Sequence, residues 1–247
     1  MNQTNHTHRL QLFRQDADRA GQLRLRLCHC CGDLTLSDTV PVLENFGFRV
    51  IDHVPPPLQS PAENGNRVHE FLLALPPAQS ADQFMAHAPI VAAALAAVCT
   101  GEAENDPFNR LIGGLGLDLR EAKWLRACYR YLRQTGSHFG LATVVEALGR
   151  APMVTQGLLA LFRARHARHG IANRAASQTE AEAAIQQGLA NVAAINDDRL
   201  LRAFHTLILA ILRTNAFVEA GREALAFKMD SAAVPGLPLG YGRLRWL

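Results

Sequence analysis

Lysine is nearly missing from this chain: Lys123 and Lys228 are the only two, and arginine carries almost all of the positive charge. The formal net charge is +3, spread along the chain rather than gathered in a block. Nucleic-acid binding normally shows clustered basic residues interleaved with aromatics, so no nucleic-acid partner is expected. Long apolar runs are missing too. The longest, Ile90–Cys99 and Leu207–Leu212, fall well short of the roughly 20 residues that span a bilayer. The polar start Met1–Arg9 is followed by no apolar run of the kind a secretion signal needs. Cysteine is sparse and odd in number, with Cys28, Cys30 and Cys31 crowded together and Cys99 and Cys128 far away, a poor framework for disulfides. The expectation is a reducing, cytoplasmic protein outside the membrane. With 49% hydrophobic and 19% charged residues over 247 positions, a packed core in one large or two small domains is within reach.

Periodicity divides the chain. Residues 1–22, with His6, His8 and mixed charge, read as a flexible lead-in. Leu23, Leu25 and Leu27 alternate with Arg24 and Arg26, the period of a half-buried strand. Ser37 is placed to cap a helix carrying Val40, Leu43 and Phe46, with Pro41 in its first turn and Gly47 at its end. Phe48 and Val50 start a second strand. After the turn signal Asn64-Gly65-Asn66, Val68–Leu75 reads as a third, and an Ala-rich helix runs to about Cys99. The fold class is therefore α+β: a small ferredoxin-like βαββα unit over 23–100, without a clear last strand, then a mainly helical region over 101–230. In that region Asp118 with Glu121, and Ser177 with Glu180, form capping boxes. Residues 163–174 read as an exposed linker. A strong helix from about Asp197 buries Leu200, Leu201, Phe204, Leu207, Ile208, Ile211 and Leu212. Residues 231–247 read as an irregular tail.

No cluster of residues assembles an active site on sequence grounds. Cys28-His29-Cys30-Cys31 could offer zinc soft ligands, but a tetrahedral site draws paired ligands from two places, and Cys99 and Cys128 stand singly in apolar helical patterns. In a strand Cys28 and Cys30 share one face and His29 and Cys31 the other, so reduced cysteines at a strand end are the plainer reading. Cys128 reads as a small buried hydrophobe, and His205 as a hydrogen-bonded helix residue. Glu102, Glu104 and Asp106 read as a helix start before Pro107. Gly113-Gly114-Leu115-Gly116 follows a helix where a nucleotide fingerprint needs a strand, so it reads as a flexible break. Arg120, Arg126, Arg130 and Arg133 read as a solvated face or a contact with an acidic neighbouring domain. The expected catalytic, cofactor-binding and metal-binding residues are none.

Five stretches carry a resemblance. LTLSDTVPVLENFGFRV at Leu34–Val50, GEAENDPFNRL at Gly101–Leu111, the helix Leu125–Gln134 ending YLRQ, LRTN at Leu212–Asn215 and FKMDSAAVPGL at Phe227–Leu237 resemble, in order, segments of the large NAD-specific bacterial glutamate dehydrogenases. The ending Gly240–Leu247 departs from that pattern. The resemblance implies an ACT-like identity for the βαββα unit and a helical region leading toward catalysis. It implies a family reaction of L-glutamate with NAD and water to give 2-oxoglutarate, ammonia and NADH. It also implies NAD as the family's cofactor though none in this chain, homo-oligomers or a separate catalytic domain as partners, and an amino-acid effector or an oligomer contact near Leu34–Val50. It predicts a chain that stops where the catalytic domain begins, with neither Lys123 nor Lys228 at a catalytic position, and apolar surface left exposed on its last helices. The alternative is a stand-alone ACT-like ligand-binding or protein-interaction module; a small metal protein using Cys28–Cys31 is a third.

Overall fold

The computed structural model describes residues 9–29, 35–55, 67–76, 79–170, 172–218, 224–234 and 244–246. Cys30, Cys31 and the turn expected at Asn64-Gly65-Asn66 lie outside them. The chain divides into two compact units, Met1–Ala122 and Lys123–Leu247.

In the first unit a four-stranded antiparallel sheet has the order β1-β2-β4-β3, from β1 (Arg9–Phe13), β2 (Gln22–His29), β3 (Arg49–Val54) and β4 (Arg67–Ala74). Alternation of side chains sends Leu23, Leu25, Phe71 and Leu73 to one face, where all four are fully buried. That face is covered by α1 (Leu36–Asn45) and α3 (Ala88–Cys99), with α2 (Ala81–Ala86) contributing Phe84 to the same core. On the other face Arg24 bridges Asp18 and Glu70, both at 2.9 Å, Arg26 reaches Glu70 at 3.2 Å, and the Arg26 guanidinium lies over the Phe13 ring. The Arg24 hydrogen bond holds the Glu70 carboxyl below its ordinary range.

Several sequence expectations are corrected here. The lead-in contains β1, whose Leu10 and Leu12 pair with Leu27 and Leu25. It takes the open edge beside β2, so the strand missing from the expected unit comes before it in the chain. The cap of α1 is Thr35, not Ser37, and the helix start at Leu36 puts Pro41 inside the helix, beyond its first turn. The first compact unit runs to Ala122, past the domain boundary expected near residue 100, because α3 packs on the sheet and α4 (Arg110–Leu115) on α3.

The second unit is helical with a small sheet. Helix α5 (Leu119–Gln134) begins in the last residues of the first unit and continues into the second; it starts in the expected capping box, with the Asp118 amide donating to Glu121 Oε2 at 2.9 Å and the Glu121 amide to Asp118 Oδ1 at 2.8 Å. Asp118→Ala is expected to cost about 1 kcal/mol in chemical denaturation. Helices α6 (Leu141–Arg150), α7 (Pro152–His166), α8 (Arg174–Leu189) and α9 (Ile195–Ala210) follow. Close approach of α7 and α8 uses two glycines: a Cβ on Gly157 would meet Ile185 at 2.7 Å, and one on Gly188 would meet Val154 at 2.7 Å. The expected 163–174 linker shrinks to 167–173, since α7 runs to His166. Asn173 caps α8 by accepting from the Ala176 amide, which puts Ser177 inside the helix. Helix α9 ends at Ala210, and Ile211–Thr214 is β5, paired with β6 (Phe227–Asp230) and through it with β7 (Leu244–Trp246). The irregular tail thus contains a strand. Ile211 is buried in this sheet, while Leu212 is 48% exposed rather than buried on the helix. Apart from exposed Ile195 at the start of α9 and half-buried Leu209, the large apolar side chains of α8 and α9 are buried, so a continuous exposed apolar face of the kind expected there is absent among the described residues.

Candidate functional site

The sequence-selected clusters separate in space or close up. Cys28 sits half-buried on β2 opposite Val68. Cys128 is buried, which pushes its thiol up to about 12. Among the described residues no group of three or more His, Cys, Asp and Glu is arranged to hold a metal ion. Asp106 caps the 3-10 turn Pro107–Asn109 by accepting from the Phe108 amide at 3.0 Å, as a helix-start carboxylate should. Arg126 is buried, which corrects its placement on a solvated face.

The glycines at 113–116 are not a flexible break. Gly113 lies inside α4, and a Cβ there would stand 2.1 Å from the Phe84 ring. Gly116 ends α4 at φ +68°, where a Cβ would meet His87 Nε2 at 2.6 Å. His87 Nδ1 is 3.0 Å from the Gly113 carbonyl. These glycines admit side chains of the protein's own core, and the space a pyrophosphate would need is filled.

Two half-buried histidines of the second unit each have an imidazole nitrogen buried without a hydrogen-bond partner. His166 Nε2 and His205 Nε2 make no hydrogen bond, which corrects the hydrogen-bonded reading of His205. Burial, reinforced by Arg165 and Arg174, pushes His166 down to about 4 from 6.5. Burial is also the main cause of the lowered His205 value. Between pH 4 and 6.5 the folded protein keeps His166 neutral while the unfolded chain protonates it, so stability rises with pH across that window and is unaffected above it. Chemical denaturation at pH 4.5 against pH 7 is expected to show a loss from His166 of about 2 kcal/mol, allowing for its partial exposure. His166→Leu should flatten the dependence.

A second imidazole pair lies on the first unit's sheet, with His53 Nε2 and His69 Nδ1 2.9 Å apart and the His53 ring stacked on Phe71. The feature sequence reasoning missed is a cavity of about 640 Å³ at one end of that sheet. It is lined by Glu44 of α1, Gly47 and Arg49 at the start of β3, Leu75 after β4, and Arg110 at the start of α4. Gly47 has φ +91°, a backbone that favours glycine, and a Cβ there would lie 3.0 Å from Arg110 Cγ. The Arg110 side chain therefore lies across the Gly47 turn, and its Nε is buried without a partner. Asn45 Nδ2 donates to Asn105 Oδ1 at 3.0 Å nearby, so two of the resemblance-bearing stretches, Leu34–Val50 and Gly101–Leu111, meet at this point. No sequence spacing signals a contact between residues so far apart.

Comparison with known proteins matches three successive stretches to family models. Residues 7–85 match the glutamate dehydrogenase ACT3 domain, 103–167 the glutamate dehydrogenase helical motif 3, and 184–243 the bacterial NAD-glutamate dehydrogenase catalytic domain. The chain belongs to the bacterial NAD-specific glutamate dehydrogenase family. It is 36% identical over 237 residues to the NAD-specific glutamate dehydrogenase of Halomonas elongata, covering 93% of this chain and 14% of that protein. Identity to the enzyme of the same name from Pseudomonas aeruginosa is 34% over 226 residues, covering 88% and 14%. For the Mycobacterium tuberculosis enzyme it is 30% over 217 residues, covering 83% and 13%. The chain therefore spans about one seventh of the length of these relatives. The ACT3 match covers β1 to β4, in agreement with the ACT-like reading, and includes β1. The third match corrects the expectation that the chain stops short of the catalytic domain, since α9, β5 and β6 lie inside it. Among the described residues no helix is long and apolar enough to cross a membrane.

Proposed function

We propose that this chain serves NAD-dependent glutamate dehydrogenation as structural and regulatory scaffold and carries out no hydride transfer alone. The whole protein converts L-glutamate, NAD and water to 2-oxoglutarate, ammonia and NADH. The ACT-like unit and the helices hold the assembly, and residues 184–243 contribute framework to the catalytic domain. The protein acts as a cytoplasmic homo-oligomer. Ile51, Val54 and Val68, each at least 40% exposed on the outer sheet and its edge, are surfaces a second copy could cover.

The observation that carries this reading is the strand pairing. Every pairing among the described residues is antiparallel, whereas a dinucleotide cradle is built where a parallel strand turns through glycines into a helix. The filled glycines at 113 and 116 support it further. The chain's two lysines are Lys228, on a strand between two antiparallel neighbours, and Lys123, within α5, and water activation would call on a lysine amine. Calorimetric titration of the chain with NAD is the test: no saturable binding is expected up to millimolar nucleotide, and tight one-to-one binding would overturn the reading.

A further inference from the structure

The cavity at the Gly47 turn is lined by two guanidiniums and one carboxylate, Glu44, and neither guanidinium is ion-paired to it. Arg49 and Arg110 both line it, and among the described residues neither forms a hydrogen bond or ion pair through its side chain. An adjoining cavity of about 520 Å³ shares Arg49, Ala74, Leu75 and Pro76 with it and adds Arg14 and Arg19. Arg14 is already engaged by Asp82 at 2.9 Å. Among the described residues Glu44 is the one acidic side chain lining the larger cavity. A buried guanidinium nitrogen with no acceptor costs the fold the desolvation of that donor, and such a group in a native structure calls for a partner. The Arg110 side chain cannot swing freely toward solvent on its Gly47 side, because the turn lies against its stem.

We propose that this cavity binds a small dicarboxylate. A guanidinium presents a planar fork that matches a carboxylate through two parallel hydrogen bonds, and two such forks are available, Arg49 at the rim and Arg110 inside. Buried Phe48 and Leu75 form apolar walls that suit a short carbon chain between the two acid groups. Inorganic phosphate would use the charge and leave the apolar walls and most of the volume unfilled. Glu44 disfavours a compact, highly charged anion on its side of the cavity. The site is assembled from α1, β3, β4 and α4, so an occupant would tie the helices of this unit to the end of its sheet.

Calorimetric titration of the whole chain with succinate at low ionic strength tests this, with acetate and inorganic phosphate as comparison anions. Saturable one-to-one binding of succinate is expected, at least tenfold tighter than acetate or phosphate. Arg110→Gln should weaken succinate at least tenfold. Arg49→Gln, at an exposed strand start where the fold tolerates the change, should weaken it severalfold. Arg120→Gln, outside the cavity, should leave it unchanged. Absence of saturable succinate binding to the unaltered chain overturns the proposal. So does affinity unchanged in Arg49→Gln, or acetate or phosphate binding as tightly as succinate.

Discussion

Phe162→Ala is expected to destabilise the second unit by about 3–5 kcal/mol, the range for removing a fully buried aromatic ring. Phe162 is 1% exposed and lies at the centre of a ring cluster. Its centroid is 4.8 Å from Trp124, 5.8 Å from Phe217, 5.9 Å from Phe227 and 5.1 Å from His166. These partners come from α5, α7, β6 and the segment after β5, so the cavity left behind touches several elements at once and can collapse only in part. Truncating Phe217, which is half-buried, should cost less. Thermal unfolding followed by tryptophan fluorescence checks the prediction, because Trp124 reports directly on the cluster. A midpoint drop of about 10 °C or more is expected. A drop under about 2 °C would mean the cluster does not carry this unit.

Gly113→Ala should also be strongly destabilising, against the trend for helix positions. Alanine gains about 1 kcal/mol over glycine from helix propensity alone. Here the added carbon would stand 2.1 Å and 2.4 Å from two atoms of the Phe84 ring. Phe84 is 2% exposed and packs edge-on against Phe48 at 5.1 Å, so the ring has nowhere open to move. Overpacking typically costs about 1–3 kcal/mol, and an overlap this deep lies at the upper end of that range, so it outweighs the propensity gain. The double change Gly113→Ala with Phe84→Leu relieves the clash and should recover part of the loss, which separates overpacking from a backbone effect. Equilibrium denaturation of the single and double variants is the measurement.

The parts of the fold visible in the sequence are those where a local pattern and the buried face coincide. The alternation of Leu23, Leu25 and Leu27 with arginines marks β2 because one face meets the helices and the other meets water. The Asp118–Glu121 box is legible because both hydrogen bonds are made within one turn. The failures have physical causes as well. Strand β1 is a short edge strand behind a polar start, and its pairing with β2 lies across a turn that the pattern does not announce. The Ser177–Glu180 spacing imitates a cap, yet Asn173 had already opened the helix. The apolar run Leu207–Leu212 continues past the end of α9, because Ile211 is buried by strand pairing instead of by helix packing. Arg126 is drawn inward because α5 is enclosed around most of its circumference, with Trp124, Cys128 and Tyr131 buried beside it. In the glycine cluster, glycine serves close contact with Phe84 and His87, not flexibility. The Arg49–Arg110 cavity had no sequence signal, since it is created by tertiary contact between a turn and a distant helix start.

We propose that this chain frames the chemistry of glutamate dehydrogenation without performing it. The most direct test is NADH formation by the purified, cooperatively folded chain supplied with saturating L-glutamate and NAD. The account predicts a rate indistinguishable from the protein-free control. Sustained NADH production that scales with protein concentration and survives repurification would contradict it.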